Sequence, residues 1–303
     1  MKAMILAAGR GRRLRPLTDI TPKVLVPVAN RPMIERTMEL LAFHGVQEVI
    51  INAHHHYHKI TDYLQSRGSS DIRIEIRVEE EILGTGGGIK NIQDFLDEEP
   101  FIVINGDILT DISLRDVYEY HLRRANLVTM VLHDFPRYSK LRIDRDMNII
   151  SIGSTGGGED TLAFTGIHVL NPEVLDFIPE NARYNIIDCY RRLIHERRAV
   201  RAYVATGHSW IDIGTVGEYL RANFDILGPE RVALGRDCEI NPAASLKEWA
   251  VLGNGCSIES GAIVRGSVLW NEVTVREGVR VIDSVLTSGV TVEEDIIGGV
   301  AIR

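Results

Sequence analysis

Three stretches near the C-terminus fall into phase. SIESGAIVRGSVLWNEV begins at 257, TVREGVRVIDSVLTSGV at 274 and TVEEDIIGGVAIR at 291, a period of 17 residues, with AVL, SVL and SVL recurring at 250, 267 and 284. A repeat this short cannot enclose a core of its own. Each copy has to bury its Val and Ile against the next, which implies stacked β-coils. An ordinary array of β-hairpins is the alternative reading.

Upstream of the repeat the texture is different. AMILAA, EVIIN, IRIEIRV and FIVIN are short β-branched runs, whereas PMIERTMELLAFHG and HKITDYLQSRG carry apolar residues at helical spacing. This alternation predicts an α/β fold, a Rossmann-like mixed sheet with helices on both faces. After residue 134 the strand-like pieces shorten around a loop, GSTGGGED at 153–160, which predicts an inserted, partly antiparallel region. NIIDCYRRLIHERRA and VGEYLRANFDIL then return to helical spacing. The expected division is a domain over 1–228 followed by a repeat domain over 232–303. The repeat spacing resembles the hexapeptide left-handed parallel β-helix, with one coil in each 17–18 residues. Such a repeat domain implies a homo-oligomer assembled through its coils.

Composition sets outer limits. At 303 residues, 45% hydrophobic and 25% charged, the chain has ordinary soluble-globular content. No apolar run approaches bilayer-spanning length, and the run in MKAMILAAGRG is too short for a signal peptide. Cys189, Cys238 and Cys256 are too widely spaced for a CxxC motif. The expected compartment is the cytoplasm, with no membrane partner.

The chain carries 42 acidic and 34 basic residues, a net charge of −8. Yet LAAGRGRRLRPLT at 6–18 and the residues after it set Arg10, Arg12, Arg13, Arg15 and Lys23 against the single acid Asp19. A local cationic loop on an acidic protein points to a small anionic ligand rather than nucleic acid, which calls for a broad basic face. A solvated basic loop is the plain alternative. GxxxxGK[ST] is absent, and G-x-G-x-x-G fails at its third glycine, where Leu14 stands. Pro16, Pro22 and Pro27 argue against a helix opening directly behind Gly11. What is left is a long glycine-hinged loop in which Gly9 and Gly11 let backbone N–H groups approach phosphate oxygens, and arginine adds bidentate donors.

LAAGRGRRLRPLT followed by TPKVLVPVANRPMIE resembles the signature of the sugar-1-phosphate nucleotidyltransferases, the nucleotide-sugar pyrophosphorylases, almost without gaps over 4–35. Arg12 replaces the family's threonine, and Arg13 keeps the arginine place. The resemblance implies that Ala8 and Gly9 lie beside the base, that Gly11, Arg12 and Arg13 hold the triphosphate, and that Lys23 contacts the phosphates in transfer, with Arg13 and Lys23 as the catalytic cations. LGTGGGIK at 83–90 resembles the base-reading segment, which brings in Gly84 and Thr85; it also reads as a loop that opens a helix. INGD at 104–107 ends an apolar strand at the carboxyl edge of the sheet, where α/β proteins bind ligands; by itself it reads as a turn, and the resemblance implies that Asn105 meets the nucleotide and Asp107 a metal. SWIDIGT at 209–215 resembles the second acidic motif and offers Asp212 as the other metal ligand. LAFTGIHVLNP at 162–172 resembles the sugar-side strand, with Thr165 and Gly166 as sugar contacts.

The implied reaction is attack of a sugar-phosphate oxygen on the α-phosphorus of a nucleoside triphosphate, with pyrophosphate leaving. The nucleophile is already an anion, so the protein has to supply neutralisation and in-line positioning. Mg²⁺ held by one or two carboxylates suits Asp107 and Asp212. The family's Glu-Lys-Pro motif, whose lysine binds the sugar phosphate, is absent after residue 140; Lys140 is the candidate replacement. That absence and TGGGI resemble the N-acetylmuramate-1-phosphate uridylyltransferases, whereas the C-terminal coils resemble the mannose-1-phosphate guanylyltransferases. Base and sugar stay open, thymidylyl transfer included. A non-catalytic, nucleotide-sugar-binding regulatory paralogue is the alternative; intact Arg13, Lys23, Asp107 and Asp212 argue against it. An acyltransferase using a β-helix histidine is disfavoured, because every histidine lies at or before His208. HHHYH at 54–58 places His54 and His58 at helical metal-ligand spacing with no third ligand evident nearby. Trp249 and Trp270 are read as packing residues of the coils rather than as base-stacking groups.

Overall fold

The structure is a computed structural model describing residues 1–68, 72–135, 140–153 and 161–303. Of the loop expected at 153–160, residues 154–160 lie outside the described set. Contacts within the chain group into two compact units, Met1–Arg10 with Thr37–Trp210 and Gly11–Arg36 with Ile211–Arg303.

The first unit is built on a seven-stranded sheet. Its order is Val200–Val204, Val128–His133, Ala163–Leu170, Phe101–Asn105, Lys2–Leu6, Glu48–Ala53 and Arg73–Val78. All neighbours run parallel except Ala163–Leu170, which is antiparallel to both of its partners. The mixed α/β sheet predicted from the alternating runs is therefore present. Met4, Ile50, Phe101, Val103, Val128 and Met130 have no exposed surface and form the centre of one core cluster. Strands buried to this degree read as continuous apolar runs, which is why FIVIN and EVIIN stand out in the sequence. The inserted region holds an antiparallel pair, Leu141–Ile143 with Ile149–Ile152.

In the second unit short strands stack in parallel, and their registers carry the sequence period directly. Ser257 pairs with Thr274 and Thr274 with Thr291; Ala250 pairs with Ser267 and Val268 with Val285. Parallel pairing throughout these strands excludes a hairpin array, in which neighbours run antiparallel. The stack begins earlier than the three in-phase copies, at Val232–Leu234 and Glu239–Ile240, where Val232 pairs with Ala250 and Glu239 with Ser257. Leu252, Leu269 and Leu286 are fully buried one above another, and Ile258, Val275 and Val292 form a second inward row. Side-chain amides lock the turns: Asn271 Oδ1 accepts from Asn254 N–H at 2.9 Å, and Asn254 Oδ1 accepts from Arg236 N–H at 2.8 Å.

The same unit contains Gly11–Arg36, the segment that carries the arginine-rich loop. Asn30 Nδ2 donates to Leu252 O at 2.7 Å, Ala29 N–H to Asn223 Oδ1 at 2.8 Å, and Tyr219 OH to Pro27 O at 2.5 Å. Trp270 is buried and donates its indole N–H to Tyr219 OH at 3.1 Å, while Trp249 is buried beside Phe224. Both tryptophans are packing residues, as expected from the sequence.

Candidate nucleotide site

The predicted site residues fall in both units, one set in each. In the first unit, Leu6 pairs in register with Asn52 on one side and Asn105 on the other, so three strands reach one edge abreast. The chain leaves this edge through buried Ala8 and exposed Gly9, and through Gly106 to half-buried Asp107. Gly106 N–H donates to Leu6 O at 3.0 Å, which ties the two exits together. Gly166 has a φ of +82°, and a Cβ there would meet Asn105 Nδ2 at 2.5 Å. The predicted sugar-side glycine thus packs on the predicted nucleotide-side asparagine. Thr165 is different. It is 1% exposed and its hydroxyl donates to Val131 O at 2.9 Å, so that side chain is committed to the sheet. Lys140 is exposed.

The glycine run of LGTGGGIK is not a loop leading into a helix. It is itself the helix Gly84–Lys90, with Gly86, Gly87 and Gly88 buried inside it. Four glycines disfavour a helix by roughly 1 kcal/mol each relative to alanine, so tertiary contacts must hold it. Tyr184 O accepts from Gly86 N–H at 2.9 Å and Gly87 N–H at 3.2 Å, and Tyr184 N–H donates to Leu83 O at 2.8 Å. Thr85 Oγ1 accepts from Ile186 N–H at 3.0 Å. These approaches leave no room for side chains: a Cβ at Gly87 would stand 2.5 Å from Ala182 O.

In the second unit a carboxylate lies between two cations. Behind Gly11 the chain forms 3₁₀ turns at Arg12–Leu14 and Lys23–Leu25 and a short helix, Leu17–Ile20, so the proline-rich loop is more ordered than its sequence suggests. Gly11 has a φ of +60°, its carbonyl accepts from Thr18 Oγ1 at 2.9 Å, and a Cβ would meet Thr18 Cγ2 at 2.7 Å. Fully buried Leu14 and Leu17 anchor the segment while Arg12 and Arg13 face outward. Asp212, ending the strand Trp210–Asp212, lies 3.7 Å from Lys23 Nζ through one oxygen and 3.7 Å from Arg13 NH2 through the other. Lys23 and Asp212 are largely buried, with side chains 13% and 19% exposed, whereas Arg13 is 63% exposed. The guanidinium rests over Gly214, where a Cβ would stand 2.9 Å from both Arg13 NH1 and Glu218 Oε2.

Asp107 and Asp212 supply hard carboxylate oxygens, the donors Mg²⁺ takes. The contacts of Asp212 to its two cations are longer than direct hydrogen bonds. Among the described residues no three His, Cys, Asp or Glu side chains gather as a metal cluster. A divalent ion on one or two carboxylates would therefore complete its shell with water and phosphate oxygens, a usual arrangement for Mg²⁺ at nucleotides. His54 Nδ1 shares a hydrogen bond with Glu79 O at 2.9 Å.

Three further residues support these elements without standing out in the sequence. Asn52 and Glu79 are 2% and 3% exposed and hydrogen-bonded to each other at 2.6 Å, and Gly214 sits under Arg13. One signal was available for the first: EVIIN and FIVIN both end in Ile-Asn on the strands that flank the loop strand.

Comparison with known proteins places the chain among relatives. The nucleotidyl transferase family matches over residues 2–228. A UTP–glucose-1-phosphate uridylyltransferase from Synechocystis is 31% identical over 76% of this chain, which covers 64% of that relative's length. An N-acetylmuramate α-1-phosphate uridylyltransferase from Neisseria meningitidis is 33% identical over 71% of this chain and 94% of its own. Mannose-1-phosphate guanylyltransferase 1 of Arabidopsis thaliana is 30% identical over 88% of this chain and 82% of its own. Among solved structures, HddC of Yersinia pseudotuberculosis complexed with GMP-PN has a TM-score of 0.66 at 27% identity, covering 74% of this chain and 99% of that one. The chain belongs to the nucleotidyl transferase family. Its relatives just described are sugar-1-phosphate uridylyl- and guanylyltransferases.

Proposed function

We propose that the protein joins a nucleoside triphosphate to a sugar 1-phosphate, releasing pyrophosphate and a nucleotide sugar. The observation that carries this reading is Asp212 between Lys23 and Arg13, a charged cluster whose members all lie within the 2–228 family match. Ala8, Gly9, Gly84, Thr85 and Asn105 are assigned to the nucleoside. Gly11, Arg12, Arg13 and Lys23 are assigned to its phosphates, and Gly166, Thr165 and Lys140 to the sugar phosphate. For Thr165 the assignment concerns its backbone, since its hydroxyl is already bonded.

The sugar phosphate brings its own anionic oxygen, so no side chain has to remove a proton. Arg13 and Lys23 lower the cost of bringing a dianion to a triphosphate, and Asp212 keeps both cations at the entry before substrate arrives. Lys23, the less exposed of the two, is assigned to the α-phosphate, where a positive charge in a drier setting acts more strongly. Asp107 and Asp212 are the residues assigned to hold Mg²⁺, whose charge would polarise the phosphate oxygens. The stacked C-terminal strands are assigned to a left-handed β-helix that assembles copies of the chain, and the compartment to the cytoplasm.

Incubation with GTP, UTP, dTTP, ATP and CTP against glucose, mannose and N-acetylmuramate 1-phosphates, following pyrophosphate release, tests the reading. One pair should turn over well above the others. No release with any pair, alongside measurable binding of a nucleotide sugar, would favour the regulatory paralogue.

A further inference from the structure

Ala7 N–H, at the start of the loop that follows the first strand, donates to Asn52 Oδ1 at 2.8 Å. The other end of that amide, Nδ2, donates to Glu79 Oε1 at 2.6 Å. The second oxygen, Glu79 Oε2, accepts from Leu83 N–H at 3.0 Å, at the residue that opens the Gly84–Lys90 helix. A Cβ on Gly88 would stand 2.8 Å from Asn52 Nδ2 and 2.9 Å from Glu79 Oε1, so the two side chains lie directly on the helix backbone. Every link of this chain is buried or half-buried, and it joins the two segments assigned to the nucleoside.

We infer that Asn52 and Glu79 are positioning residues that fix the spacing between the Ala8–Gly9 loop and the Gly84–Thr85 helix start, and so set affinity for the nucleoside triphosphate. This role rests on the nucleotidyltransferase reading above. The donor and acceptor pattern explains the residue types. Ala7 and Leu83 both present N–H donors, so the bridge needs an acceptor at each end and one donor in the middle. Amide plus carboxylate meets that need, with Asn52 accepting and donating and Glu79 accepting twice. The reverse order, carboxylate at 52 and amide at 79, meets it equally: the carboxylate accepts from Ala7 and from the amide, whose oxygen accepts from Leu83. Either single exchange fails. Asn52→Asp sets two carboxylates against each other, and Glu79→Gln leaves two donors face to face whichever way the amides turn.

The test is this exchange. Asn52→Asp and Glu79→Gln should each raise KM for the nucleoside triphosphate about tenfold or more, leaving KM for the sugar 1-phosphate within about twofold. The Asn52→Asp/Glu79→Gln double variant should return the triphosphate KM to within about threefold of wild type. Titration of the same proteins with UTP, GTP and dTTP, without sugar phosphate, should show the same order of Kd values. Two results would overturn the inference: single variants with an unchanged triphosphate KM and Kd, or a double variant no better than the worse single. A loss of melting temperature with both KM values unchanged would also overturn it, because a purely structural network behaves that way. If wild type binds a triphosphate but releases no pyrophosphate, the catalytic reading fails while the order of Kd values still decides the positioning role.

Discussion

Asp212 is the residue on which the charged cluster turns, because each of its oxygens faces a different cation. Asparagine keeps its shape but removes the charge that holds Lys23 and Arg13 and could bind Mg²⁺. Asp212→Asn should lower kcat by about 10²-fold or more, on the order of 3 kcal/mol, the scale of one preorganised electrostatic contact. Asp107→Asn should do the same. EDTA should abolish turnover and Mg²⁺ restore it; full turnover in chelator would remove the metal from the reaction. Arg13→Lys keeps the charge but loses the planar fork, so kcat/KM should fall at least about tenfold, about 1.4 kcal/mol. Wild-type kinetics in that variant would mean that Arg13 does not clamp phosphates. The cluster of Arg13, Lys23 and Asp212 was legible because its members lie in contiguous motifs. Glu79 was not. In sequence it is the first of three acids, and a Glu79-Glu80-Glu81 run reads as a solvated face. Only the fold shows that the first is buried while the other two are exposed.

At the scale of elements, legibility followed the source of the stabilising energy. The coils were legible because each copy buries its apolar rows on the next, which writes a period of 17 into the chain and returns it as strand register. The Gly84–Lys90 helix was not, because intrinsic propensity opposes it and long-range bonds to Tyr184 impose it. One substitution made on two helices should therefore have opposite signs. Gly217→Ala, in the helix Val216–Leu227 with nothing within 4 Å of the new Cβ, should stabilise by about 0.5–1 kcal/mol. Gly87→Ala gains the same propensity but drives Cβ to 2.5 Å from a backbone carbonyl that cannot rotate away. An overpacking cost of about 1–3 kcal/mol exceeds that gain, so the variant should unfold at lower denaturant. Denaturant midpoints of the two variants check both signs, and two shifts in one direction would break the account.

For the molecule as a whole, buried histidines in the first unit set how stability responds to acid. Burial pushes His121 down to about 4 and His168 down to about 3, from an ordinary value of 6.5. Burial also lowers His44, with the Arg115 charge acting the same way. His121 Nδ1 shares a hydrogen bond with Thr129 Oγ1, and His168 Nδ1 one with Tyr190 OH, so both rings are placed as neutral groups in a dry setting. In the unfolded chain these histidines take up protons near pH 6.5; in the fold they do so only well below it. Between those limits the unfolded state binds more protons, so stability rises with pH. The contribution is complete above about pH 7 and is lost as pH falls from 6.5 toward 4. The carboxylates with lowered values, Asp94, Asp97, Asp144, Glu259 and Asp295, start from 3.8 or 4.5, so most of their loss lies lower. The unfolding free energy measured in urea should therefore fall by about 1.4 kcal/mol per pH unit for each histidine titrating in that window, with a slope corresponding to about two protons near pH 5. His121→Asn, although less stable at pH 7.5, should remove about one proton from that slope. A free energy flat between pH 6.5 and 5 would mean that the rings protonate inside the fold as readily as outside it.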